Sequence, residues 1–437
     1  MLKHVYRNMK DVNSVSRIGV IGGGPAGLSI AYMLKDQGFQ NVTVFEAQEQ
    51  VGGKSFTVKA GDQLVEMGTC YATFAHHITN KWMQQLNMPM QRLGDVFFEG
   101  GDFIQYVRSG SGAPLPVQLL KYLNAKARLE KALKKRPIPR WALDEAAQPI
   151  QDWLRARDLG KIECFMHRST TNIAYGFVDE VSTLQALRWN DLNLIGTGFL
   201  KQLKLPVDGW AEFWRRLAQT LDVRLSTPII RIDRDQNRHR LTTKQGDMHD
   251  CDLTICAIPV DEFSELTDVT ENECFVRDSV EWNGYATTLF TADNWFTDYR
   301  VDAFKNSVLP GAELGQLLSA RYDGYDAEIG GHLYLAGQLS GTYSHAELKE
   351  LLRNGVAERG GAVTNIILQK VWKYHAQYKR DAIRDGLLSR LESMQGERNT
   401  WYTGATFSHE VVSHIVNFNA NLAKQIKLRN LTTHVSI

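Results

Sequence analysis

Several large protein classes are excluded by what this sequence has little of. It contains only five cysteines (Cys70, Cys164, Cys251, Cys256 and Cys274), an odd number with no CxxC pair. That argues against a disulfide framework or a zinc site and for free thiols in a reducing cytoplasm. Charge of one sign is also missing. Lys+Arg 50 against Asp+Glu 49 leaves a net charge of +1, too even for a chain held on nucleic acid by bulk charge. The polar start, MLKHVYRNMKDVNSVS, has no apolar core of a secretory signal. Residues 18–34 are uncharged, but Gly22-Gly23-Gly24-Pro25 interrupts them, so a strand, a turn and a helix fit better than a membrane span. There is no internal repeat and no low-complexity tract. With 43% hydrophobic and 23% charged residues the composition is that of a globular protein, and 437 residues suit about three domains or an interleaved two-domain enzyme.

What is present is concentrated at the front. Residues 17–21 form a short β-branched run, as a buried parallel strand should. Gly22-Gly23-Gly24-Pro25-Ala26-Gly27 follows at once and supplies G-x-G-x-x-G through Gly22, Gly24 and Gly27. An apolar helix then runs to about Gly38, and a second strand, 42–45, ends on Glu46-Ala47. The first glycine makes the tight turn, the second admits a pyrophosphate, and the third lets helix and strand pack closely. The helix start offers free N–H groups to phosphate. Glu46, 19 residues after Gly27, suits a ribose 2′-OH and argues against NADP. The alternative is a glycine turn with no ligand. Val51-Gly52-Gly53-Lys54 comes next, and a hairpin closes at Val65-Glu66-Met67-Gly68-Thr69, where an NAD dehydrogenase would usually begin another βαβ unit. The pattern points to FAD, with a second backbone approach at Gly53 and Lys54 as charge partner. Further on, 223–232 reads as strand, Pro step and strand (with Ile229), and 252–259 as a return strand. Residues 399–405 form an aromatic strand ending in Gly404-Ala405, followed by a helix at 413–426.

GGGPAG, a strand ending in Glu, VGGK, EMG and a late aromatic–Gly turn occur in the order of the flavin-containing amine oxidase superfamily, which the chain resembles from about residue 17 to 430. Within it, VGGKS…EMG, the run Met394 to Tyr402, Tyr175-Gly176 with Asp179, and Asp208-Gly209 are similar to the bacterial FAD-dependent polyenoic fatty acid isomerases. The resemblance implies an α/β fold. It would comprise a Rossmann-like FAD-binding domain of the GR2/amine oxidase type (14–90, 206–275 and 390–437), an interleaved α+β substrate domain (91–109 and 276–389) and a helical cap (110–205). Helices are expected at 119–136, 143–159 and near 346–353, and strands at 285–291 and 333–336. Noncovalent FAD is implied, held by Gly22, Gly23, Gly24, Pro25, Ala26, Gly27, Glu46, Ala47, Gly53, Lys54, Met67, Gly68, Thr69, Ile229, Gly404 and Ala405. Ala405 stands where many members carry an acid. The isomerases bind the fatty-acid carboxylate through an arginine whose matching position here is Gly94. Arg92, two residues earlier, is the candidate anchor, with Phe199 nearest to the family's stacking aromatic and Tyr285 beside the substrate.

The chemistry implied is hydride transfer to flavin N5 and return to another carbon of an unsaturated, lipid-like substrate. An apolar pocket suffices for it. Trp189, Phe199, Trp210, Tyr285 and Phe290 are candidate wall residues, and each also reads as plain core. The alternatives are an FAD-dependent amine oxidase or dehydrogenase using oxygen, for which Trp401 and Tyr402 could flank the amine, and a flavin-binding protein without turnover. Nothing demands a nucleophile, a metal or a catalytic dyad. His76-His77 reads as polar surface. The basic stretch 119–136, with its apolar stripe through Leu119, Leu123 and Ala127, reads as a solvated cap helix or as a peripheral contact with an anionic membrane or acidic carrier. No oligomeric state follows from the sequence.

Overall fold

The computed structural model describes residues 15–235 and 238–431. The polar start up to residue 14 and the last part of the 390–437 piece, from residue 432, lie outside them. β1 (Arg17–Ile21) is buried in four of its five positions because it lies inside a parallel sheet covered on both faces. That five-stranded sheet has the order Thr400–Tyr402, Leu253–Cys256, β1, β2 (Asn41–Phe45), Asp222–Arg224. All its pairs are parallel. Chain segments far apart in sequence therefore build one Rossmann-like sheet, as expected. Between β1 and β2 runs α1 (Pro25–Asp36), whose Leu28, Ile30 and Leu34 pack with Val20, Val44 and Ile255. The last helix, Val412–Leu431, lies against α1.

A three-stranded antiparallel meander (Ile229–Arg234, His239–Thr243, Met248–Cys251) leads into the return strand Leu253–Cys256. A second, seven-stranded sheet is built on two long antiparallel strands, Val280–Asp293 and Ala362–Tyr378. Gly331–Leu339 pairs with the first of these, and the helix His345–Ala357 follows it. Helices fill most of the chain between Phe103 and Phe199 and share a core through Tyr122, Trp153 and Phe165. Among the described residues no helix is long and apolar enough to cross a membrane.

Two sequence expectations need correction here. Residues 143–159 do not form one helix. Arg140–Ala147 and Ile150–Arg155 are separate, because Pro149 stands at the start of the second and supplies no N–H to continue the first. The basic helix spans Leu115–Leu133, and its buried stripe is Gln118, Tyr122, Lys126, Leu129 and Ala132, one position off the expected one. Lys126 is drawn inward by the Leu187 carbonyl, which removes it from the basic face.

Two polar links tie these layers together. Glu66, at the end of the strand Gln63–Glu66, accepts the Trp210 N–H at 2.7 Å and so caps the helix Trp210–Ala218 from another element. Arg234 and Glu273, with side chains 0% and 2% exposed, form a buried pair joined by the Tyr402 hydroxyl. Burial works to raise the Glu273 carboxyl, but the Arg234 guanidinium and Tyr402 hold it below the usual carboxylate range. The pair locks the meander to the strand that leads to Gly404. Removing one partner leaves a buried charge, so Glu273→Ala should cost about 3–5 kcal/mol of stability in chemical unfolding. A loss below ~1 kcal/mol would show that the pair is not a structural link.

Candidate active site

The glycine turn after β1 is a place where backbone replaces side chain. Gly22 has φ +106°, and its N–H donates to the Phe45 carbonyl at 2.9 Å, tying the turn to the end of β2. A Cβ on Gly27 would lie 1.9 Å from the Gly22 carbonyl oxygen, so only glycine allows α1 this close. The Gly52 N–H donates to the Gly23 carbonyl at 2.9 Å, which sets the second glycine pair against the first. Gly53 has φ +51°, and a Cβ there would meet the Gly24 Cα at 3.2 Å. Glu46 accepts the Gly23 N–H at 2.6 Å and the Gln48 N–H at 2.8 Å. The start of α1 has no side-chain cap.

These groups line one cleft of about 210 Å³. Gly22, Gly24, Pro25, Ala26, Glu46, Gly53, Lys54, Thr69, Gly404 and Ala405 all meet there. Gly23 and Gly27 shape the turn behind it. Gly68 approaches so closely that a Cβ would lie 1.8 Å from the Lys54 carbonyl oxygen. Three other expected contacts are not in the cleft wall. Ala47 is exposed on the loop, Met67 packs with Val65 and Leu335, and Ile229 packs with Leu241 and Phe263.

Thr69, Tyr374, Glu410 and Val412 also belong to an adjoining chamber, walled by residues 68–71, His76, Asn172, Ile173, Trp189, Tyr285, His375 and Val411. Trp189 and Tyr285, two of the aromatics offered as pocket wall, line this chamber. Arg92 does not. It lies on the surface, bonded to Asp95 at 2.7 Å and to the Lys201 carbonyl at 2.9 Å. Phe199 stacks on Phe165 at 6.0 Å beside the core of the helices between Phe103 and Phe199, while Trp210 and Phe290 are fully buried in other clusters. Trp401 and Tyr402 are strand-packing residues and do not flank the chamber. His76 is buried rather than superficial, packed at 5.8 Å from Trp210.

Sequence reasoning missed His375, Glu410 and Asn172. His375 is the extra residue of a bulge between Val280–Asp293 and Ala362–Tyr378, since Trp282 pairs with Ala376 and Asn283 with Tyr374. Its φ of +47° is a strained value for a non-glycine residue. The bulge lets it line the chamber with both ring nitrogens unpartnered. A bulge is decided by strand pairing, so no local signal announces it. Its N–H donates to Glu410 at 3.0 Å, and Lys54 grips the same carboxylate at 2.8 Å. The expected charge partner of a pyrophosphate is thus in an ion pair at the junction of cleft and chamber. Burial pushes His76 down to about 3 and His375 well below its ordinary value, so both are neutral near pH 7.

These histidines make stability depend on pH. Burial depresses His76 to about 3 and His239 to about 4, and His375 and His409 well below normal. Below the unfolded value of about 6.5 the unfolded chain takes up protons that the folded chain refuses. Glu66, raised to about 7 by burial, acts in the opposite sense, as do Glu180 and Asp302, which burial also raises, but the depressed histidines are more numerous. Lowering the pH from 6.5 to 5 should cost about 1–2 kcal/mol per buried histidine. Urea unfolding at the two values tests this, and equal or greater stability at pH 5 would contradict it.

Comparison with known proteins agrees with this geometry. The model for flavin containing amine oxidoreductases matches residues 25–358. Flavin-containing amine oxidase A of Bos taurus is 26% identical over 275 residues, 57% of this chain and 50% of that protein. The L-amino-acid oxidase of Crotalus adamanteus is 32% identical over 92 residues, 21% of this chain and 18% of that protein. The chain thus spans half the length, or less, of these relatives. Among solved structures, the CLA-producing fatty acid isomerase from P. acnes superposes with a TM-score of 0.79 at 19% identity, covering 95% of this chain and 99% of that one. Putrescine oxidase bound to putrescine gives 0.70 at 14% identity, with 94% and 99% covered. At these identities the superpositions speak for the fold, and the family match over most of the length decides membership: the chain belongs to the flavin-containing amine oxidoreductase family.

Proposed function

We propose that the protein is an FAD-dependent isomerase that moves double bonds in an unsaturated, lipid-like substrate. The observation that carries this reading is the charge balance of the chamber. Its one lining carboxylate among the described residues, Glu410, is already held by Lys54 and by the His375 N–H. A cationic amine would find no free acid there, whereas an uncharged polyene chain needs only the aromatic wall of Trp189, Tyr285 and Tyr374. The isomerase among the structural neighbours shows that the fold is compatible with this reading, as the oxidases beside it show for the alternative.

The cleft fits FAD. In front of Gly24 a Cβ would touch only the Gly53 Cα, at 3.7 Å, so the space that a pyrophosphate needs is kept clear by two glycines. The N–H groups at the start of α1 suit phosphate, and Glu46 keeps lone pairs for a ribose hydroxyl beyond the two N–H groups it accepts. Among the described residues the cleft wall carries no Cys or His that could form a flavin link, and burial disfavours the Cys70 thiolate in the chamber. Bound FAD supplies a hydride acceptor; the chain's part is to bind the substrate, orient the reacting carbon and exclude water. On this reading 14–90, 206–275 and 390–437 form the flavin domain, 91–109 and 276–389 the substrate domain, and 110–205 the cap.

Two outcomes are expected. Gly24→Ala should fold normally, since φ is −79° and the new methyl has room, yet the variant should purify colourless. Wild type should be yellow and release FAD on acid precipitation. A yellow Gly24→Ala variant, or flavin retained by denatured wild type, would contradict the assignment. The function itself is tested by anaerobic incubation of the yellow protein with a nonconjugated polyene. A conjugated product of unchanged mass is expected. Turnover only with oxygen, with peroxide released, would make it an oxidase, and no turnover of either kind would leave a flavin-binding protein.

A further inference from the structure

The helix Gly160–Thr171 runs directly into the chamber wall at Asn172. Arg168 sits four residues before Asn172, on the same helix face. The residue is 8% exposed, has no ion pair within 4.0 Å among the described residues, and its Nε has no hydrogen-bond partner. Its guanidinium lies over the Phe103 ring at 5.5 Å, and the groups that act on it electrostatically include Tyr71 and Tyr285, both in the chamber wall. Other cations nearby are accounted for. Arg321 is paired with Asp323 at 2.8 Å, and Lys54 with Glu410. Asp302, the acid that acts on Arg168, accepts the Gly100 N–H at 3.0 Å and lies 3.7 Å from Arg300. Asn172 Oδ1, one turn on, is also buried and unpartnered.

An uncompensated buried cation costs several kcal/mol, and a guanidinium does not escape that cost by losing its proton. Burial pulls Arg168 below the usual arginine value, the direction expected of a charge without a counter-ion. Cation–π contact with one phenyl ring offsets only part of this. An anionic ligand group reaching the fork of Arg168 would offset the rest.

We propose that Arg168, delivered by the cap helix, anchors the carboxylate of the substrate, so that the chamber takes a free unsaturated carboxylic acid rather than an ester or an amine. The proposal rests on the isomerase reading for the unsaturation, but binding of the acid group can be tested without turnover. The probes are dodecanoate, which cannot isomerise, and its methyl ester, titrated into the yellow holoenzyme and followed by the flavin spectrum. Wild type should prefer the acid. Arg168→Met should lose about 10- to 150-fold in affinity for the acid, as for a charge-assisted hydrogen-bonded contact, and leave the ester unchanged. Its melting temperature without ligand should equal or exceed that of wild type, because an unpaired charge has been removed. A merely structural arginine would lower it. Arg168→Lys, which keeps the charge and loses the fork, should weaken the acid alone. Equal affinity of wild type for acid and ester, or unchanged acid affinity in either variant, would overturn the proposal whether or not polyenes are isomerised. Acid binding through Arg168 without isomerisation would instead leave the anchor standing and refute the isomerase reading.

Discussion

The site depends on a close approach of backbone to backbone that no side chain could tolerate. α1 touches the turn after β1 so tightly that the Gly22 carbonyl occupies the space of a Gly27 Cβ. The loop carrying Gly53 reaches the same turn through the Gly52–Gly23 hydrogen bond. Because Gly24 and Gly53 face each other with no Cβ on either, the cleft between them is a surface of N–H groups and Cα atoms. Strands from distant parts of the chain then have to converge on it, and they do so by parallel pairing with β1, β2 and each other. The Arg234–Glu273–Tyr402 link keeps the strand Thr400–Tyr402 in place, and with it the Gly404 turn on the far side of the cleft.

Beyond the cleft the physical problem changes from hydrogen bonding to exclusion of charge. The chamber is walled by tyrosines, Trp189, neutral histidines and a carboxylate already engaged by Lys54. Burial enforces this neutrality, since it lowers His76 and His375 and raises the Cys70 thiol. A wall of aromatic and neutral groups of this kind suits the carbon–hydrogen chemistry proposed, where a free base or a free acid would invite side reactions. Arg168, one helical turn from Asn172 and behind the chamber wall, is the charge that the proposed anchor would use.

The parts legible in the sequence are those whose chemistry is local. Gly22, Gly24 and Gly27 between two β-branched strands, and Glu46 at the end of the second, follow from turn geometry and strand periodicity alone. The parts that were not legible depend on pairing between distant segments. Arg92 looked like an anchor from its position in the chain, but strand pairing of Met90–Arg92 with Lys204–Pro206 puts it on the surface beside Asp95. His375 enters the chamber because of a bulge that only the pairing with Val280–Asp293 creates. Phe199, Trp210 and Phe290 are aromatic for packing, and a single sequence does not separate a wall from a core.

The central claim is that a hydrogen leaves one carbon of the substrate and returns to another without exchanging with water. It is tested most directly by following the label of a polyene deuterated at the carbon between two double bonds, turned over anaerobically in ordinary water. The account predicts that the conjugated product keeps the deuterium, now at a different carbon. Deuterium lost to solvent would contradict it, because water would then have reached the transferred hydrogen before it returned to carbon.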